Sequence, residues 1–110
     1  MRGWRESARL FDAALEKAPE ALAIASNAQM AAELEFYGKR DTRFASLAEA
    51  KKGQNALFIT DDPAAVKVPP ELETRFASWE LLSVARVMHA GNEVRWLKIF
   101  SCHDFRPPEF

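Results

Sequence analysis

Residues 22–38 read LAIASNAQMAAELEFYG, and this stretch decides the fold class. Ala21 to Ala25 is a brief apolar run without alternation, which suits a strand covered on both faces. Ser26 fits a helix N-cap, and Gln29 three residues on completes the capping box S-x-x-Q. Met30, Leu34 and Tyr37 then recur at helical spacing, with Ala31 and Phe36 beside them. Gly38 can adopt the left-handed conformation that ends a helix. Strand–cap–helix units are mostly scaffold. The same helix start also presents N–H groups to an anion or a polar ligand. Ser26, Asn27 and Gln29 are therefore candidate ligand-binding residues.

Working outward, Gly3 to Ala18 has the pattern of an amphipathic helix. Trp4, Ala8, Phe11, Leu15 and Ala18 recur at steps of four and three, and charged residues take the other side. Pro19 stops it, because the residue before proline avoids the helical region. After residue 38, Lys39 to Thr42 is a polar link and Arg43 to Ala45 a short second strand. Ser46 and Glu49 form another capping box, which opens a small helix ended by Gly53. Asn55 to Thr60 (NALFIT) is short, apolar and β-rich, and a turn signal, Asp61-Asp62-Pro63, follows it. It is predicted as the central strand, beside Leu22–Ala25.

Pro70 fits the first position of a helix running to about Phe76. From Trp79 the period changes to that of strands. Trp79 to His89 and Glu93 to His103 form a hairpin around Ala90-Gly91-Asn92. Val94, Trp96 and Phe100 fall on one face, Leu97 and Ile99 on the other. Phe105 to Phe110 is a proline-bearing tail. The order predicts an α/β fold, a three-layer sandwich. Its mixed sheet has parallel N-terminal strands and a C-terminal antiparallel hairpin. Residues 1–110 are read as a single soluble domain.

The 110 residues suffice for one domain, and 48% hydrophobic with 28% charged is an ordinary globular balance. The 15 basic and 16 acidic residues are interspersed and leave a net charge of −1. That balance argues against nucleic acid as a partner and against an anionic membrane surface. The single Cys102 rules out an intrachain disulfide. No apolar run approaches a bilayer span, and no signal peptide is expected.

Little in the chain points to chemistry. Asp61 and Asp62 follow a parallel strand, on the rim where α/β proteins hold ligands, and two carboxylates there suit a divalent metal or a sugar hydroxyl. Asp-Asp-Pro after a strand is also an ordinary turn, and no further acid or histidine has a spacing that completes a metal site. Asp61 and Asp62 join the candidate ligand-binding residues, and no metal site is assigned. Cys102, His103 and Asp104 are adjacent in sequence, and strand neighbours point to opposite faces, whereas a triad needs its three groups to converge. His89 is expected in solvent. Trp4 and Trp96 match core periodicity, whereas Trp79, which opens a strand, is ambiguous. No cofactor fingerprint or nucleophile motif is present. No catalytic residue is assigned and no cofactor is called for.

A resemblance supplies the context. Gly3-Trp4-Arg5-Glu6, the run Gln29 to Tyr37, Asn55-Ala56-Leu57-Phe58-Ile59, Pro70-Glu71-Leu72 with Phe76, and the terminal strand Phe100 to Phe105 together resemble the C-terminal soluble domain of bacterial membrane glycosyltransferases. The family is glycosyltransferase family 39, relatives of dolichyl-phosphate-mannose–protein mannosyltransferases and of lipid A aminoarabinose transferase. The match covers most of the chain in order and includes no catalytic signature. Two departures stand out: Ala28 where the family often has an aromatic residue, and a short interval from Lys39 to Gln54.

The resemblance implies a polytopic parent that uses a polyprenyl-phosphate sugar, with its catalytic acids in the membrane part. This chain would then be the C-terminal, non-catalytic, extracytoplasmic piece on the periplasmic side of the inner membrane. Its partner would be the membrane-embedded remainder, and it would assist acceptor recognition. The alternative is a free-standing cytosolic α/β module that binds a small anionic ligand near Ser26–Gln29 and Asp61–Asp62.

Overall fold

The computed structural model describes residues 4–18, 20–37, 44–62, 64–89 and 93–107. Helix α1 (Trp4–Lys17) is followed by strand β1 (Leu22–Ala25), helix α2 (Ala28–Tyr37) and a single 3₁₀ turn (Leu47–Glu49). Strand β2 (Ala56–Thr60), one helical turn α3 (Pro70–Glu73) and the long strands β3 (Phe76–His89) and β4 (Glu93–Phe105) complete the order. Gly3, Pro19, Gly38, Arg43, the 39–42 link, the turn at 90–92 and the tail beyond residue 107 lie outside the described residues.

The four strands form one sheet in the order β1-β2-β4-β3. β1 runs parallel to β2, with Leu22 opposite Ala56 and Ala25 opposite Ile59. β2 and β4 are antiparallel, as are β4 and β3. The mixed sheet, its parallel N-terminal pair and its C-terminal hairpin are thus as the sequence predicts.

β2 shows why an unbroken apolar run marks an interior strand: all five of its residues are buried. Leu57 and Ile59 join a core with Phe11 and Leu15 of α1 and Met30 and Leu34 of α2. Ala56 and Phe58 face the other way, into a second core with Val68, Leu72, Phe76, Phe100 and Cys102. The two long helices cover one face. The other is covered by the chain between β2 and β3, in which α3 is the only helical turn among the described residues.

Five local expectations are corrected. The segment at Phe44 and Ala45 is not a strand. Ala45 N–H bonds to Ala23 O at 2.8 Å, while Phe44 stacks on Phe11 at 5.2 Å. Aromatic packing on α1 takes the place of a ladder. The 46–53 helix shrinks to one 3₁₀ turn, although the predicted Ser46–Glu49 pair is present, with Ser46 N–H donating to Glu49 Oε2 at 3.1 Å.

The helix from Pro70 stops at Glu73 rather than near Phe76, and β3 starts at Phe76 rather than Trp79. Thr74 closes the turn by bonding Pro70 O through its hydroxyl at 2.9 Å. Phe76 is drawn into the sheet opposite Phe105, and the two rings meet edge to face. Trp96, expected in the core, is 42% exposed, with the Arg86 guanidinium 6.0 Å from its ring centre. It lies on the part of β4 that extends past β2. Trp79 is half-buried against Phe100. The side chains of Trp4, Tyr37, His89 and Val94 lie outside the described part.

Candidate functional site

Parallel pairing of β1 and β2 brings their C-terminal ends to one rim. Ser26 N–H donates to Ile59 O at 3.0 Å, which locks the start of the β1–α2 connection against the end of β2. Ser26 and Asn27 thus lie next to Thr60, Asp61 and Asp62. The two sequence clusters chosen as ligand candidates therefore begin from one rim, joined there by the Ser26 to Ile59 bond.

The local chemistry differs from the predicted capping box. α2 begins at Ala28, and the cap is Asn27, whose Oδ1 accepts from Met30 N–H at 2.8 Å. Ser26 instead turns its hydroxyl toward Met30 Sδ at 3.8 Å. Asparagine is as good a cap as serine, so the choice falls to register. Gln29 sits in the first turn of α2, and its side chain lies outside the described part.

On the β2 side, Asp62 Oδ1 accepts from Ala64 N–H at 2.9 Å, and Asp62 N–H donates to Thr60 Oγ1 at 3.2 Å. This is the turn chemistry expected of Asp-Asp-Pro. Among the described residues no group of three or more His, Cys, Asp or Glu could hold a metal ion.

The rim has a wall the sequence did not reveal. β2 pairs with β4 only from Lys98 to Cys102, so residues 93–97 of β4 are bonded to β3 alone. The distal hairpin therefore stands out past the ends of β1 and β2, and the molecule is elongated, 50 × 29 × 23 Å. Lys98 sits at the corner opposite Thr60, and its Nζ donates to Ala65 O. No sequence signal marks Lys98, because its place depends on strand register. At the opposite rim, a groove of about 420 Å³ is lined by Lys17, Glu20, Gly53, Gln54 and Asn55, among others. None of the five ligand candidates reaches it.

Cys102 is fully buried, and burial pushes its thiol up to about 11. A thiol so held is inert as a nucleophile. His103 points to the other face, where Nε2 lies 3.3 Å from Ser101 Oγ and 3.4 Å from Glu80 Oε1. A relay uses both ring nitrogens, one for the hydroxyl and one for the carboxylate. Here one nitrogen meets both, so the group is a polar surface cluster. The i, i+2 spacing of Ser101 and His103 on a strand was the available signal for it.

Comparison with protein families, curated proteins and solved structures returns no match for this chain. Among the described residues no helix is long and apolar enough to cross a membrane.

Proposed function

We propose that this chain is a non-catalytic, extracytoplasmic α/β domain of a polytopic membrane glycosyltransferase. The parent uses a polyprenyl-phosphate sugar, and the domain helps it recognise acceptor. The observation carrying this reading is where the resembling residues fall. Asn55–Ile59 ends in the doubly covered strand β2, Gln29–Tyr37 lies within α2, and Phe100–Phe105 closes the sheet. The matching segments are thus the framework of one fold, and the thiol and the imidazole on β4 point to opposite faces. A domain built this way contributes shape and contact surface while the chemistry is done elsewhere.

Fractionation of the native protein tests this. The expected result is a membrane-bound species larger than 12.4 kDa, cleaved by protease added from the periplasmic side. A soluble cytosolic species of the mass of this chain overturns the reading.

One observation favours the second reading, a cytosolic module for a small anionic ligand. The Ser26 to Ile59 bond places the start of α2 beside the end of β2, a common ligand position in α/β sheets. A rise in melting temperature with sugar phosphates or nucleotides, lost in Asn27→Ala, supports it. No rise across such a panel removes it.

A further inference from the structure

The two edges of the sheet are finished differently. β1 is four residues long, and Ala45 N–H bonds its outer side at Ala23 O. β3 is 14 residues long, and among the described residues no backbone group outside β4 bonds to residues 77–89. The N–H and C=O groups that point outward along β3 thus have no ladder partner. Proteins usually blunt such an edge with lysine, proline or a short strand. Residues 76–89 contain no lysine and no proline, and Leu81 and Val84 are each 48% exposed.

The order of residues on β3 says what this edge accepts. A bulge between Leu81 and Ser83 shifts the alternation by one residue. Counted by their partners on β4, Leu81 and Val84 lie one place either side of Ser83, Glu80 and Ala85 two, and Trp79 and Arg86 three. An antiparallel copy of β3, turned about a two-fold axis at Ser83, sets Leu81 against Val84, Glu80 against Ala85 and Trp79 against Arg86. Both members of each pair lie equally far from the axis, so they share a face of the joined sheet. Leucine meets valine, and a guanidinium meets an indole. The two Glu80 carboxylates stay apart, as do the two Arg86 guanidiniums. A parallel copy in register would instead set Glu80 beside Glu80 and Arg86 beside Arg86. We propose that β3 pairs edge to edge and antiparallel with β3 of a second copy, so that two four-stranded sheets become one. The bulges interrupt the new ladder at its centre, and the arms on either side carry the pairing. The contact is isologous and consumes the long open edge, so assembly closes at the dimer. It goes beyond the glycosyltransferase reading and stands whether or not the chain has a membrane parent.

Sedimentation velocity of the full chain over a range of concentrations tests this. The expected result is a reversible shift from 12.4 kDa to twice that mass, with slower amide exchange along β3 as the dimer fills. Leu81→Glu and Val84→Lys should each weaken the dimer roughly tenfold, because each sets a charge against an apolar side chain at two places. Both should melt as the wild-type monomer does, since the side chains replaced are half-exposed. An equimolar mixture of the two variants should regain the dimer. The new carboxylate at position 81 then faces the new ammonium at position 84 of the other chain, and the remaining pair stays leucine against valine. A monomer at every concentration overturns the proposal, as does growth beyond two copies. So does a dimer that both variants leave unchanged, or one that their mixture fails to restore. Exchange that slows elsewhere in the chain but not along β3 would assign the dimer to another surface and overturns it too.

Discussion

Asn27 Oδ1 accepts a 2.8 Å hydrogen bond from Met30 N–H, and that bond fixes where α2 begins. It satisfies one of the N–H groups that the first turn leaves without an intrahelical partner. Asn27→Ala should destabilise the protein by about 1 kcal/mol. Ser26→Ala, which loses only a long contact to sulfur, should cost less than half as much. Urea unfolding of the two variants side by side measures the difference, and equal costs would return the cap to Ser26.

β2 is the strand on which both cores depend. Ile59 is fully buried on the helix side and Phe58 nearly so on the other. Ile59→Ala should cost about 2–5 kcal/mol and Phe58→Ala about 3–5 kcal/mol. Each variant opens a cavity in a different core, so near-additive losses in the double variant would show that the sheet insulates the two faces.

Cys102 gives a pH signature. Burial raises its thiol from 9.0 to about 11, so the folded protein keeps a proton that the unfolded chain releases. Stability from this source is full below about pH 9, falls as pH rises and levels off near 11. The slope of unfolding free energy between those values should be shallower in Cys102→Ala. In the native protein at neutral pH, thiol labelling should proceed only as fast as local opening exposes the group.

Gly53 sits at φ +83°, and a β-carbon there would lie 4.0 Å from Asp104 Oδ1, so space is not the obstacle. Gly53→Ala should still cost roughly 1–2 kcal/mol from the left-handed backbone alone. Gly53→Asn should cost less, because asparagine tolerates that region. Equal melting temperatures for the two would show the strain is relieved by backbone shift.

What the sequence disclosed follows from the range over which each signal acts. The buried runs at 22–25 and 55–60 announced strands covered on both faces, because such cover leaves no alternation to disguise them. Gly53 was read as ending a helix that stops at Glu49 instead, although its left-handed backbone is a property of that one residue. The N-cap slipped by one position, since Ser26 and Asn27 have nearly equal capping strength and register with Ile59 made the choice. Phe76 was read as helix because Pro70 and Glu71 start one well, and only its distant partner Phe105 pulls it into the sheet. Trp96 looked internal because its spacing matches the core. How far β4 outruns β2 is set by pairing, which no local window contains. The candidate site was half legible: Asn27 and Asp62 were named, while Lys98 and the projecting wall were not.

The position of β2 also sets an order of assembly. Both of its neighbours come from distant parts of the chain, β1 well before it and β4 well after. β3 and β4, close in sequence and paired from His89 and Glu93 onward, can zip together early, whereas β2 must close two large loops to find its place. Until it does, an apolar strand with two open edges is available to other molecules. Refolding yield should therefore fall with protein concentration, and a newly made chain would benefit from shielding until residues beyond 98 have emerged.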